Sequence, residues 1–151
     1  MKLTHLCDAE FRYTAPMTFV EPYEGIAGYG FGGGEGYVRG ERLRGILRFA
    51  IAPRRREDDV YLPDITAAVT TDDGAHLIVR LQAYSVVDEK GGRTIIGSVT
   101  MASEGGAYTW LNQVYCLAEG IVDRQAGAIR VRIYACESEL GGELPAGWAE
   151  R

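Results

Sequence analysis

The chain has 151 residues, of which 46% are hydrophobic and 25% are charged, with a formal net charge of -5. These values are typical of a single globular domain and exclude wholesale disorder. The acidic excess argues against a nucleic-acid partner. No apolar run approaches the ~18–20 residues of a membrane helix, and no basic stretch leads into an apolar one at the start, so we expect no membrane partner and a cytoplasmic location.

Cysteine and histidine spacing argues against a metal or disulfide framework. The cysteines are Cys7, Cys116 and Cys136, which are odd in number, far apart and set in apolar stretches. We therefore predict buried thiols that pack as small hydrophobic side chains. The two histidines do not form an H-x-x-x-H motif. We expect neither a metal nor a cofactor.

Glycine is unusually frequent, with 20 residues, and residues 28–33 formally match G-x-G-x-x-G. A dinucleotide-binding fingerprint requires a strand before these glycines and a helix after them. Here no apolar strand precedes the motif, and the following residues resemble a strand. The pattern therefore predicts a flexible or bulged loop over the glycine-rich run.

Alternation of apolar and polar residues predicts strands along most of the chain. In chain order the predicted strands are 3–13, 35–39, 42–51, 60–71, 77–83, 94–102, 108–117 and 128–136. Turn signals separate them, with Asp73-Gly74 and Gly91-Gly92 as the strongest hairpin dipeptides. The best helix candidate is a single turn near 118–124.

Eight or more strands within 151 residues favour closure, because closure removes the exposed strand edges that promote aggregation. The predicted fold is all-β: a single closed antiparallel β-barrel of about eight to ten strands, lipocalin-like in size, with little helix. Residues 1–138 would form this domain and residues 139–151 a loosely ordered tail. A barrel of about eight strands holds side chains or one small ligand. Arginines on the predicted outer faces disfavour the membrane version, because each costs ~2–4 kcal/mol at mid-depth in lipid.

Several sequence blocks support a family resemblance. They are Gly33-Gly34-Glu35-Gly36 leading to Gly40-Glu41-Arg42-Leu43-Arg44-Gly45, then Asp64 with Thr71-Asp72-Asp73-Gly74-Ala75, and finally Tyr108-Thr109-Trp110-Leu111-Asn112. In this order they resemble the domain of unknown function 3237 (DUF3237) family of small bacterial and fungal proteins. The resemblance implies a soluble antiparallel β-barrel and supplies no reaction. Where the family usually has a proline and two arginines, this chain has Glu41, Thr66 and Gln113.

Two groups of residues are the first candidates for a site. Asp64 lies in an apolar run, where a raised pKa would suit a general acid or base. The alternative is an aspartate paired with an amide or an arginine at the barrel rim. Tyr108, Trp110 and Asn112 alternate along the predicted strand 108–117 and would share one face of a pocket. The alternative is a packed core face.

A third group alternates along the strand 77–83 and its flanks. His76, Arg80 and Tyr84 would bind substrate if their face pointed inward, with His76 moving a proton and Arg80 holding an oxyanion. The alternative is a solvated outer face, since the residues between them form a better apolar core. Glu35 is a further candidate, which could pair with Asp64 across the barrel as acid and base.

These residues suggest a cofactor-independent acid/base enzyme acting on a small hydrophobic or aromatic organic molecule, of the dehydratase, isomerase or cyclase type. In this hypothesis Asp64 is the base, Asn112 and Tyr108 orient the substrate, and Trp110 is a stacking wall. Two alternatives remain open. One is a non-catalytic carrier or sensor that uses the same pocket, and the other is a structural barrel that forms homo-oligomers through its faces.

Overall fold

The structure is a computed structural model that describes residues 1–143 and 146, and these residues form eleven strands and one short 3-10 helix. The elements are β1 (Lys2–Tyr13), β2 (Thr18–Val20), β3 (Gly28–Arg39), β4 (Arg44–Ile51), β5 (Arg54–Arg55), β6 (Tyr61–Leu62), β7 (Asp64–Thr71), β8 (His76–Val87), β9 (Arg93–Ser103), the 3-10 helix (Thr109–Gln113), β10 (Cys116–Asp123) and β11 (Ala128–Glu137). The predicted excess of strand over helix is confirmed.

The eight long strands pair in a ring. Each is hydrogen-bonded to a neighbour on both sides in the order β1-β11-β10-β9-β8-β7-β4-β3, and β3 pairs with β1 again. Every pairing is antiparallel. The short strands β2 and β5 attach to β3, and β6 bridges β5 and β8. The prediction of an antiparallel, barrel-like all-β architecture is thus confirmed.

Residue alternation decides which side chains fill the ring. In β4 and β8 buried and exposed residues alternate strictly over Arg44–Ile51 and over residues 76–85. The sequence predicts the inward residues of both strands correctly. They are Gly45, Leu47, Phe49, Ile51, Leu77, Val79, Leu81 and Ala83. Together with β1, β7, β9 and β11 they build one apolar core. The ring interior is therefore packed with side chains along most of its length.

The glycine-rich run is a strand and not a loop, which corrects the sequence prediction. Residues 28–34 belong to the 12-residue strand β3, of which only the second half is predicted. A Cβ atom at Gly36 would lie 1.7 Å from the carbonyl oxygen of Glu10, and one at Gly34 would lie 1.9 Å from that of Arg12. Strand β3 therefore crosses β1 too closely for any side chain at these positions.

The segment 108–117 is not a strand. Residues 109–113 form the 3-10 helix, and β10 begins only at Cys116. The helical turn suggested near 118–124 lies instead within β10. The aromatic and apolar residues that resemble a strand here serve another purpose, because Leu111 enters the core from the end of the ring.

The cysteines behave largely as predicted. Cys7 and Cys116 are fully buried, and Cys136 is partly buried. Burial raises the pKa of the Cys7 thiol to about 12 and that of Cys116 to about 11. Both thiols therefore stay protonated at neutral pH and act as packing groups, since the thiolate is the reactive form.

The N-terminus and the start of the C-terminal segment lie close together. Glu139 forms an ion pair with the N-terminal amine at 2.5 Å, and most of the tail predicted for 139–151 lies outside the described residues. None of the helices in the described part of the chain is long and apolar enough to cross a membrane.

The crossing of β1 and β3 generates the first prediction. We expect Gly36→Ala to lower the free energy of unfolding by at least about 3 kcal/mol, because the new methyl group would force the two backbones apart. The matched control is Gly105→Ala, since a Cβ at Gly105 meets no atom within 4 Å. Urea denaturation of both variants measures the difference, and equal stabilities would contradict the proposed role of the crossing.

Candidate functional site

The two ends of the ring are built differently. One end, called here the helix end, carries the turns 40–43 and 72–75 and the segment 104–115 that contains the 3-10 helix. The opposite end, called here the mouth, carries residues 14–27, 52–63, 88–92 and 124–127. The predicted site residues divide between these ends and the outer wall.

The 3-10 helix seals the helix end. Leu111 is only 1% exposed and packs in the core. The side chain of Asn112 accepts a hydrogen bond from the Ser103 amide at 2.6 Å and donates one to the Ser103 carbonyl at 3.0 Å. The Arg42 guanidinium stacks 3.8 Å above the centre of the Trp110 ring. Asn112 and Trp110 thus anchor the helix to β9 and to the β3–β4 turn.

Tyr108 holds the neighbouring β7–β8 turn. Its hydroxyl donates a 2.9 Å hydrogen bond to Asp73, which also accepts one from Thr71 at 2.5 Å. These two donors, Thr71 foremost, lower the pKa of Asp73. Residues two apart in a 3-10 helix point in different directions, because the helix has three residues per turn. The shared pocket face predicted for Tyr108, Trp110 and Asn112 is therefore wrong.

Asp64 lies on the outer wall near the mouth. It is the first residue of β7, its side chain is 44% exposed, and it faces Arg80 at 3.7 Å. Asp64 is therefore open to solvent, and the alternative of an arginine partner at the rim is the observed one. Asp64 pairs in register with Gln82.

Asp64 and Asn112 do not meet. Gln82 pairs with Ser98 on β9, whereas Asn112 binds Ser103 on the same strand. At ~3.3 Å per residue these two positions on β9 are roughly 17 Å apart. The structure thus separates the predicted base from the residue predicted to orient the substrate.

The remaining predicted residues also face outward. His76, Arg80 and Tyr84 are exposed on β8, so the solvated outer face is the correct interpretation. His76 Nδ1 lies 3.3 Å from the Thr70 hydroxyl. Glu35 is exposed on β3, so its predicted pairing with Asp64 across the interior is wrong. The strictly alternating pattern of β8 explains this outcome, since the residues between the polar ones fill the core.

Of the predicted residues, Asp64 and Tyr84 share a space. Both line an open groove of about 640 Å³ on the outer wall, together with Tyr29, Ile96 and neighbouring residues. Tyr29, Tyr84 and Ile96 are exposed. This groove is wide and open to solvent, so it does not exclude water from a reacting group.

A smaller and more enclosed cavity lies at the mouth. Its volume is about 250 Å³ and its surface is mainly apolar. The lining residues are Tyr13, Met17, Phe19, Ile51, Pro53, Tyr61, Pro63, Ser85, Arg93, Val122, Arg124 and Ile129. None of the eight predicted site residues lines this cavity.

Two arginines line the mouth cavity, and Arg93 is the buried one, with a side chain only 5% exposed. Its Nη1 donates to the Ser85 carbonyl at 3.0 Å, and its Nη2 approaches an Asp59 carboxylate oxygen at 3.5 Å. The guanidinium also lies 4.1 Å above the Tyr61 ring. Its Nε is buried and has no hydrogen-bond partner among the described residues.

Ser85 provides a second unpaired group. The residue is 1% exposed, and its hydroxyl is buried with no partner in the part of the chain that the structure describes. Buried polar atoms are normally hydrogen-bonded, so Arg93 Nε and Ser85 Oγ are exceptions, and both belong to residues that line this cavity. Tyr13 adds a third polar group, and burial raises the pKa of its hydroxyl to about 12, so it stays protonated at neutral pH.

Ser85 and Arg93 are not among the site residues predicted from the sequence, although the alternation of buried and exposed residues indicates that both point inward. Ser85 is in phase with the inward residues of β8, and Arg93 is in phase with the buried Ile95 and Val99 of β9. An arginine in phase with buried apolar residues is unusual, because arginine is rarely buried without partners. The described residues bring together no group of three or more histidine, cysteine or acidic side chains suited to a metal ion.

Comparisons with known proteins inform the fold. No family model and no curated protein matches the chain, so membership of the DUF3237 family stays a prediction. The chain is similar in structure to a β-barrel-like protein from Acinetobacter baumannii (TM-score 0.81, 16% identity, covering 90% of this chain and 96% of that one). It is also similar to a protein of unknown function from Clostridium acetobutylicum (TM-score 0.79, 13% identity, covering 91% of this chain and 100% of that one). A third similar structure is an enzyme from Penicillium herquei (TM-score 0.63, 16% identity, covering 88% of this chain and 93% of that one). At these identities the likeness establishes the barrel-like fold alone.

The unpaired Ser85 hydroxyl generates a stability prediction. We expect Ser85→Ala to stabilise the free protein by about 1 kcal/mol, because a buried hydroxyl without a partner carries an uncompensated desolvation cost. For a chain of this size that gain raises Tm by roughly 2–4 °C. Calorimetry measures the shift, with Ser98→Ala on β9 as the control. A lower Tm for Ser85→Ala would mean that the hydroxyl already has a stabilising partner.

The two hydrogen bonds between Asn112 and the Ser103 backbone generate another prediction. Asn112→Ala removes two hydrogen bonds to the Ser103 backbone, so we expect a loss of about 1–2 kcal/mol in unfolding free energy. Binding at the mouth should not change, since Asn112 lies at the opposite end of the ring. Chemical denaturation and a ligand titration of the same variant test both parts. Loss of binding with unchanged stability would instead favour the orienting role predicted from the sequence.

Proposed function

We propose that the protein binds a small, largely apolar organic molecule in the mouth cavity. The observation that carries this proposal is an enclosed, mainly apolar cavity whose lining includes the buried Arg93 and Ser85. Elsewhere the interior is filled by apolar side chains. A cavity with apolar walls and a few convergent polar groups is typical of a small-molecule site.

The dimensions of the cavity limit the ligand. Its volume of about 250 Å³ is below the ~300–1,000 Å³ typical of drug-sized ligands. Tyr13, Phe19 and Tyr61 contribute aromatic walls, which suit a planar ring by offset or edge-on stacking. We infer a ligand of one or two rings, held at the mouth of the eight-stranded ring, whose interior is elsewhere filled by apolar side chains.

Binding without catalysis is the function that the geometry supports best, and it corresponds to a carrier or sensor. The cofactor-independent acid/base enzyme is the second candidate. One observation favours it: Arg93 and the protonated Tyr13 could together stabilise a developing oxyanion. Its base would still be Asp64, in the outer groove. Pro63 lines both the groove and the cavity, so a substrate would have to extend around this residue.

A steric variant tests the proposed binding site. We expect Val122→Phe to weaken binding of indole at least tenfold, because the larger side chain would occupy the cavity that Val122 lines. The matched control is Ile121→Phe, which changes the adjacent, exposed residue of β10 and should leave the affinity unchanged. Titrations followed by two-dimensional NMR measure both affinities.

Two outcomes would contradict the proposal. One is unchanged indole affinity in Val122→Phe when its thermal unfolding shows an intact fold. The other is an absence of saturable binding to the unaltered protein by every member of a small panel: indole, 2-naphthol and 2-naphthoate. Indole is included because it has no carbonyl or carboxylate oxygen, so its binding reports the apolar cavity alone.

A further inference from the structure

We propose that two copies of the chain associate about a twofold axis, and that each copy seats a hairpin tip in the outer groove of the other. The tip consists of the turn residues Glu24 and Gly25 with Tyr23 and Ile26 on either side of them. None of these four residues lines the mouth cavity. The inference therefore does not depend on a ligand in that cavity, and it adds an interaction surface and its partner to the proposed function.

The backbone of the tip holds it in one conformation. Tyr23 and Ile26 exchange both of their backbone hydrogen bonds, at 3.1 and 2.9 Å. The two turn residues between them have positive φ angles of 46° and 80°, as a tight type I′ hairpin turn requires. An ion pair of Glu21 with Arg55, at 2.7 Å, attaches this segment to β5. The tip is thus ordered before it meets a partner, which lowers the entropic cost of binding.

This ordered tip presents apolar side chains to solvent. Tyr23 is 71% exposed and Ile26 is 64% exposed. Residues directly opposite each other in an antiparallel pair project to the same side, so the two side chains together form an apolar knob. Scattered exposed apolar residues are normal on a protein surface, whereas adjoining ones indicate an interaction site.

The outer groove offers this knob a surface of matching chemistry. Its walls include Tyr29, Tyr84 and Ile96, which are 52%, 59% and 68% exposed. Tyr29 follows the tip by three residues, so the knob and the groove are neighbours on one face of the molecule. A twofold axis between them brings the knob of each copy to the groove of the other at the same time, as in isologous dimers.

The charges of the tip and of the groove are complementary. Glu24 is exposed at the tip, and Arg54 is exposed in the groove. Neither side chain has an ion-pair partner within the described chain, because the carboxylate in the groove, Asp64, faces Arg80 instead. Seating the tip in the groove would pair Glu24 of each copy with Arg54 of the other. A second copy of this chain therefore supplies both the apolar knob and the acid that the groove lacks.

The exposed apolar area is of the size that a dimer needs. The five apolar side chains of the knob and the groove walls are each more than half exposed. They offer roughly 100 Å² each, or about 500 Å² per copy. Stable interfaces bury about 800 Å² per partner, and polar groove residues such as Gln82 and Arg54 contribute to the remainder.

Sedimentation equilibrium of the full chain over a range of concentrations tests the association. We expect a reversible monomer–dimer equilibrium. Glu24→Arg and Arg54→Glu should each weaken dimerisation at least about tenfold, because each variant places like charges together twice in every dimer. An unaltered chain that stays monomeric at every concentration would overturn the proposal, and a small molecule would then be the better occupant of the groove. Variants that dimerise as tightly as the unaltered chain would also overturn it.

Mixing the two variants is the sharper test. In a mixed dimer the new arginine of Glu24→Arg meets the new glutamate of Arg54→Glu, and the original pair forms at the second contact. We expect the equimolar mixture to dimerise about as tightly as the unaltered chain. This recovery requires two copies, so a change in the fold of one chain does not produce it. A mixture that stays monomeric while both variants keep their thermal stability would overturn the assignment.

Three further variants separate the contact from general effects of charge. Ile26→Ser removes half of the knob without changing charge, and it should weaken dimerisation at least about tenfold. The matched controls are Glu104→Arg and Arg44→Glu, which make the same charge changes at exposed residues of the helix end. Both controls should dimerise like the unaltered chain. Full affinity in Ile26→Ser, or equal weakening in the controls, would overturn the assignment of tip and groove.

Discussion

The close crossing of β1 and β3 is the constraint on which the rest of the structure depends. The pairing of β1 with β3 closes the eight-stranded ring, and at Gly34 and Gly36 the two backbones leave too little space for a methyl group. Once the ring closes, all eight strands lose their free edges, and alternation in every strand acquires an inside and an outside. The core and both ends follow from this closure, because only a closed ring has an interior to fill.

The two ends of the ring use polar groups in opposite ways. At the helix end, Leu111 completes the core while Asn112 and Tyr108 have their hydrogen bonds satisfied by backbone and turn atoms. At the mouth, Arg93 and Ser85 keep buried polar atoms without described partners. The proposed binding cavity and the helix that seals the ring therefore lie at opposite ends. The sequence block that most specifically resembles a known family serves the end that stabilises the fold.

The mouth cavity combines low polarity with a fixed positive charge, and this combination determines the chemistry it can support. The walls keep the Tyr13 hydroxyl protonated, as its raised pKa of about 12 indicates. Asp59 and the Ser85 carbonyl restrain the guanidinium of Arg93. In such surroundings an oxygen anion gains more from a directed hydrogen bond than it would in water. The same feature serves binding and, with a suitably placed base, oxyanion stabilisation, so the acid/base alternative differs from a carrier mainly in where its base lies.

The sequence by itself determined the all-β class, the inward faces of β4, β8 and β11, and the burial of Cys7 and Cys116, because all of these depend on local alternation and composition. Alternation assigns a residue to one side of its own strand. It does not say which strands become neighbours or which residues close an end, since those depend on contacts between segments far apart in the chain. Only the tertiary structure therefore turned the glycine-rich run into a strand and residues 109–113 into a sealing helix. For the same reason it separated Asp64 from Asn112 and placed Ser85 and Arg93 together at the mouth.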